Sequence, residues 1–200
     1  MRHLKTIEQP CIHEQHPNVA GVDEAGRGPL AGPVFAAAVI LPPGYELNGL
    51  RDSKTMSAAA RLRLRDAIVQ DAAAYGIGWA DVAEIEELNI LHASLLAMRR
   101  AVLNLPVTPD TLIIDGNMLI PGLQIPQIAV VKGDSVCRSI AAAGILAKVS
   151  RDEFMAKLHE QYPVYGFDRH AGYGTPEHIE ILKKHGPCPA HRREFVKKYA

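Results

Sequence analysis

Long apolar runs are missing from this chain, and cysteine and net charge are in short supply. The longest such runs, VFAAAVIL (34–41) and IAAAGILA (140–147), fall well below the roughly 20 residues that cross a bilayer, which excludes a spanning helix. Three cysteines, Cys11, Cys137 and Cys188, stand far apart and odd in number. They form neither a disulfide framework nor a paired zinc spacing. The opening stretch MRHLKTIEQPCIHEQHPN has no apolar centre and so is no signal peptide. A reducing cytoplasm is the expected location. Aromatic residues make up 6% of the chain, and Trp79 and Tyr75 lie in a strand-like run where core positions are expected.

The charges cancel, with 22 basic and 22 acidic side chains, so net charge alone does not point to nucleic acid. Their distribution is uneven. From Arg138 onward eleven Lys and Arg face seven Asp and Glu, and KKHGPCPAHRREFVKKYA (183–200) holds six basic residues and one acid. On its own such a stretch is a solvated surface; beside a phosphate-binding site it becomes a candidate backbone grip.

Two hundred residues at 48% hydrophobic composition suit one sizeable core rather than two. A polar lead-in covers 1–18. Strands are expected at VAGVD (19–23), VFAAAVIL (34–41), YGIGWADV (75–82), TLIIDGN (111–117) and QIAVVKGD (127–134). Helices are expected over 57–76, 88–105 and 135–162, and a last one from TPEH, with Thr175 as N-cap and Pro176 in the first helical position. Strands interspersed with helices predict an α/β fold, one sheet with helices packed on it. A core over 19–165 is followed by a basic helical region over 166–200, expected to pack on it.

Three strand-like runs end in carboxylates: Asp23 with Glu24, Asp115, and Asp134. Singly, each acid has an ordinary explanation as a turn former or helix cap. Those explanations do not account for three strand ends sharing one pattern, at the sheet edge where α/β proteins build sites. Four carboxylates gathered there would repel one another unless cations were present. Oxygen ligands of this kind suit Mg²⁺ or Mn²⁺. One geometric difficulty stands: neighbours on a strand point to opposite faces. Either the strand ends at Asp23–Glu24 or one of them contributes its backbone carbonyl.

The loop that follows is rich in glycine. Gly21 to Gly28 gives G-x-x-x-x-G-R-G, which lacks the Lys and Ser/Thr of a P-loop. Gly26, Gly28 and Gly32 are spaced one residue too widely for a dinucleotide fingerprint. Gly26–Arg27–Gly28 instead offers bare backbone that can approach a sugar, plus one guanidinium for a phosphate. The histidines include His170, His178, His185 and His191; they share no recognised zinc spacing even with Cys188, and polar loop positions are expected for all four.

GVDEAGRGPLAGPVFAAAVILP, DSK, IIDGN, KGDS and AAAGILAKVSRD, in that order and spacing, resemble the ribonuclease HII family over about residues 19–185. The resemblance implies an RNase H-like mixed sheet flanked by helices, with a small C-terminal helical region. It implies an endonuclease that hydrolyses the RNA strand of RNA–DNA hybrids and incises beside single ribonucleotides in duplex DNA. Asp23, Glu24, Asp115 and Asp134 would be the catalytic, metal-binding acids, serving Mg²⁺ or Mn²⁺, two ions with substrate bound. Gly26, Arg27 and Gly28 would sense the ribose 2′-OH, and Tyr173 would pack on the following sugar. Lys54 and the basic tail would hold phosphates. The expected partners are hybrid and ribonucleotide-containing duplexes, with no membrane, for a monomeric protein. One departure is Gly144, where the family usually carries serine; it is expected to affect helix packing more than chemistry. Two rivals remain: a non-cleaving binder of hybrid or A-form duplexes, and a metal-dependent DNA nuclease on the same fold.

Overall fold

A computed structural model describes residues 18–45 and 56–199; Lys54 and all but the last residue of the N-terminal lead-in lie outside them. Five strands form one mixed sheet: β1 (Val19–Ala25), β2 (Val34–Ile40), β3 (Ala74–Ala80), β4 (Thr111–Asp115) and β5 (Gln127–Val130). Their order is β3-β2-β1-β4-β5. β1 and β2 pair antiparallel, as do β2 and β3, whereas β4 runs parallel to both β1 and β5. Helix α1 (Ala58–Asp71) precedes β3, α2 (Val82–Leu103) follows it, and α3 (Arg138–Gln161) comes after β5. The C-terminal part carries α4 (Phe167–His170), α5 (Pro176–His185) and α6 (Arg193–Val196).

The sheet has a core on each face. One contains Val22, Ala36, Ala38 and Ile114 with α2 residues such as Ala97, Met98 and Ala101. The other sets Ala37 and Val39 against the α3 residues Ala141, Ala142, Ile145 and Leu146. Fully burying each large apolar side chain is worth roughly 1.5–3 kcal/mol, but small residues set the spacing here. A Cβ on Gly21 would fall 2.2 Å from the Ser139 carbonyl carbon, so α3 can lie close along β1 only because Gly21 has none. That close approach brings the middle of α3 to the acidic end of the strand.

β3 departs from the expected pattern. Trp79 is 50% exposed and Tyr75 37% exposed, so neither is core. The inward face of this edge strand is made by Ala74, Gly76, Gly78 and Ala80, and a Cβ on Gly76 or Gly78 would lie 2.3 or 2.4 Å from α2 backbone atoms. With α2 that close, large side chains fit only on the opposite face. Trp79 instead stacks on Phe35, with centroids 5.9 Å apart, and Phe35 meets Phe154 of α3.

Helix boundaries differ for identifiable reasons. α2 begins at Val82 rather than 88 because Asp81 and Glu84 form a reciprocal capping box; Asn89, at φ 65°, then kinks the helix. The strand predicted to run to 134 ends at Val130, a 3₁₀ turn occupies Gly133–Ser135, and α3, predicted from 135, starts at Arg138. α5 starts as expected, with the Thr175 hydroxyl accepting from the His178 N–H. α4 to α6 share a third core of Leu30, Met155, Tyr165, Phe167, Leu182 and Val196. That core joins the C-terminal segment to the loop after β1.

Candidate active site

Parallel pairing of Val22 with Ile114 places the C-terminal ends of β1 and β4 side by side, so Asp23 and Asp115 emerge at one sheet edge. β5 ends beside them, since Asp115 pairs with Val130, and the 3₁₀ turn that follows carries Asp134. The Gly133 N–H donates to Asp115 Oδ1 at 2.7 Å, tying the β4 end to this turn.

β1 runs on to Ala25, so the strand does not stop at the acidic pair. Asp23 lies opposite Ala37 and Glu24 opposite Ala36, residues that belong to opposite cores; the two acids thus leave opposite faces, as strand geometry requires. Gly26, at φ 100°, turns the chain immediately afterwards, and both acids still line one cavity of about 430 Å³. Its wall also includes Gly26, Arg27, Gly28, Arg61, Asp134, Gly144, Lys148 and Tyr173.

The electrostatics are unbalanced. Burial pushes the Asp23 carboxyl well above its usual range, and the charges of Glu24, Asp115 and Asp134 push it further. Burial also raises Glu24, partly offset by Arg27, whose guanidinium lies 3.3 Å from its carboxylate. A cation would relieve this repulsion, and the all-oxygen donors suit a hard divalent ion. Among the described residues, no three such side chains already converge closely enough to hold one as they stand.

The two outer glycines of Gly26–Arg27–Gly28 have different physical reasons. Gly26 combines positive φ with a Cβ position 2.1 Å from Arg151 Nε, so it is required by the fold. Gly28 has open space, its Cβ position meeting only Tyr173 Cε1 at 3.9 Å. Tyr173 is 42% exposed and faces this loop across the cavity, with Lys148 Nζ 5.6 Å from its ring centroid.

Gly144 is not remote from the chemistry. A Cβ there would sit 2.4 Å from Asp23 Oδ2, so the lack of a side chain leaves room into which the Asp23 carboxylate leans.

The expectation of polar loop histidines fails for three of the four. His170, His178 and His191 are buried and packed ring to ring, His170 stacking on His178 at 4.4 Å. Their partners determine which nitrogens carry protons. The Tyr173 carbonyl can only accept, so His178 Nδ1 donates to it at 2.8 Å. His178 Nε2 is then the acceptor from His191 Nε2, 3.0 Å away. His191 Nδ1 in turn accepts from the Cys188 N–H at 3.0 Å.

Burial lowers both His178 and His191, the latter to about 4. A depressed histidine contributes stability that is complete above its unfolded value of about 6.5 and is lost as pH falls toward the folded value. Asp23 and Glu24, raised by burial, act in the opposite sense, so a melting curve mixes the two. An NMR titration separates them: His191 is expected to remain neutral, protonated on Nε2, down to about pH 4. Titration near 6.5 would overturn this reading of the cluster.

Arg61, Lys148 and Arg151 have no reading of their own as site residues in the sequence. Arg192, expected among the phosphate-binding tail residues, is instead fully buried, as is Arg151. One signal was available for Arg151: it falls on the same helical stripe as Ala147 and Met155, both buried.

The sheet order and flanking helices are those of the RNase H-like fold. Ribonuclease H2 from Pyrococcus horikoshii OT3 superimposes with a TM-score of 0.73 at 28% identity, covering 91% of this chain and 96% of that one. Bst-RNase HIII in complex with Mn²⁺ superimposes with a TM-score of 0.67 at 20% identity, covering 98% of this chain and 70% of that one. The family model for ribonuclease HII matches residues 20–198. The ribonuclease HII of Burkholderia pseudomallei (strain 668) is 56% identical over 190 residues, 94% of this chain and 88% of its own. The chain belongs to the ribonuclease HII family, whose members are metal-dependent nucleases acting as RNase H endonucleases on RNA–DNA hybrids.

Proposed function

We propose that this protein cleaves at single ribonucleotides embedded in duplex DNA as well as within RNA–DNA hybrids. The observation that carries this reading is one cavity shared by Asp23, Glu24 and Asp134, the Gly26–Arg27–Gly28 backbone and Tyr173, with Asp115 held beside it through the Gly133 N–H. Asp23, Glu24, Asp115 and Asp134 would hold Mg²⁺ or Mn²⁺, two ions with substrate bound. Such ions orient an attacking water and stabilise the leaving oxygen at phosphorus.

The chain's own groups do the selecting. The backbone of residues 26–28 approaches the ribose 2′-OH, the one handle that separates RNA from DNA at a given site. Tyr173 packs on the next sugar and seats the junction. Lys148 and Arg61, on the same wall, draw the phosphate backbone toward the acids. Arg27 neutralises part of the Glu24 charge until a phosphate competes for it. The protein works as a monomer in the cytoplasm; no helix among its described residues is long and apolar enough to cross a membrane.

The test compares duplex DNA carrying one ribonucleotide with an all-DNA duplex of the same sequence, both in Mg²⁺. Cleavage of the first alone is expected. Cutting of both would make the protein a DNA nuclease, and tight binding without cutting would make it a hybrid-binding module; either defeats the proposal.

A further inference from the structure

Two arginines lie fully buried beneath the loop after β1, and none of their described hydrogen bonds goes to a carboxylate. Arg192 donates through Nη2 to the Gly26 carbonyl at 2.6 Å, through Nη1 to that of Arg27 at 2.9 Å and through Nε to that of Gly32 at 2.9 Å. A fourth bond from Nη2 reaches the Pro33 carbonyl at 3.2 Å. Arg151 holds the carbonyls of Pro33, Ala31 and Ala171 at 2.9–3.0 Å. Burial and the neighbouring Arg151 lower Arg192 to about 9, which leaves it cationic at neutral pH.

A buried cation without a counter-charge is expensive, and here the negative ends of loop carbonyls supply the compensation. That requirement has a geometric consequence. In a trans peptide the C=O of one residue and the N–H of the next point in opposite directions. Holding the Gly26 and Arg27 carbonyls against Arg192 therefore turns the N–H groups of Arg27 and Gly28 away from it. Neither N–H donates to any group among the described residues, and both residues line the cavity.

We propose that Arg192 is a positioning residue: by gripping the Gly26 and Arg27 carbonyls it presents the Arg27 and Gly28 amides to the substrate, and so controls cleavage at a ribonucleotide. This rests on the functional reading above. It also explains why a residue from the C-terminal segment, 165 positions from Arg27, belongs to the site. The backbone supports the same clasp, with Arg192 N–H donating to the Leu30 carbonyl and Gly32 N–H to that of Ala190.

The experiment uses Arg192→Lys and, as a counterpart, Arg151→Lys, an equally buried cation that bonds neither Gly26 nor Arg27. Single-turnover cleavage, equilibrium binding and melting temperature are measured with duplex DNA carrying one ribonucleotide. Arg192→Lys is expected to lower the single-turnover rate on the order of 10–100-fold, the scale of an ångström-level misplacement. Its affinity should stay within about threefold of wild type, a split that lost packing alone does not produce. Arg151→Lys should lose less rate for a similar fall in melting temperature. Wild-type cleavage by a folded Arg192→Lys protein, or rate losses in both variants that simply track melting temperature, would overturn the inference. A wild-type protein that does not cut the ribonucleotide duplex would defeat the underlying functional reading instead.

A measurement on the unaltered protein covers variants that do not fold. The Arg27 and Gly28 amides should exchange quickly in the free protein and slow when the ribonucleotide duplex binds in Ca²⁺. Protection already present without duplex would overturn the proposed orientation.

Discussion

An Asp115→Asn variant is expected to lose cleavage by on the order of 10³-fold, with affinity for a ribonucleotide-bearing duplex unchanged or increased. The substitution is conservative by structure. Asp115 Oδ1 accepts a hydrogen bond from the Gly133 N–H, and an asparagine Oδ1 accepts the same bond, so the β4 end stays tied to the Asp134 turn. Only the charge changes. Asp115 is one of the three carboxylates whose charges push Asp23 upward; removing its charge relaxes that repulsion and takes a negative charge from the proposed cation site. Less negative charge beside the phosphates should also ease binding of the duplex. Single-turnover assays in Mg²⁺ with parallel binding measurements separate the two effects. A variant cutting at the wild-type rate would remove Asp115 from the site.

How far the sequence foretold the site depends on the range of the contacts involved. Apolar runs stopping at Asp23, Asp115 and Asp134 are local patterns; parallel pairing of β1, β4 and β5 brings Asp23 and Asp115 side by side, with Asp134 on the turn just beyond β5. The Thr175–Pro176 helix start was legible for the same reason, since a cap is local chemistry. Properties settled by neighbours far along the chain were not. Trp79 read as core and proved exposed, because α2 lies too close to β3 to admit anything larger than glycine or alanine on the inner face. His170, His178 and His191 read as polar loop residues, yet they satisfy one another and nearby backbone atoms inside the C-terminal core. Gly144 read as a matter of helix packing until the close contact of α3 with β1 set it against Asp23. Arg192 read as one of the tail residues that grip phosphates, and Arg151 only as part of a family motif; the folded chain instead surrounds both with loop carbonyls.

Gly28→Ala is expected to reduce single-turnover cleavage at an embedded ribonucleotide on the order of 10²-fold while leaving the fold and duplex affinity near wild type. The choice of glycine matters. A methyl at Gly26 would meet Arg151 and force a left-handed backbone onto alanine, so its effects would mix folding with function. At Gly28 the methyl has room, with Tyr173 Cε1 at ordinary contact distance, and it narrows the space between loop and tyrosine that the proposal assigns to the ribose. The 2′-OH is a small handle, worth about 0.5–1.5 kcal/mol as a net hydrogen bond. Selectivity built on it must therefore be expressed mainly in the transition state, where positioning errors are costly, rather than in ground-state binding. Tyr173→Ala should shift the same balance in the same direction by loosening the seat of the junction. Single-turnover rates and equilibrium affinities on the one-ribonucleotide duplex decide the matter. If Gly28→Ala weakened binding and left the chemical step intact, the loop would be a phosphate grip, and the discrimination of ribose from deoxyribose would have to arise elsewhere in the cavity.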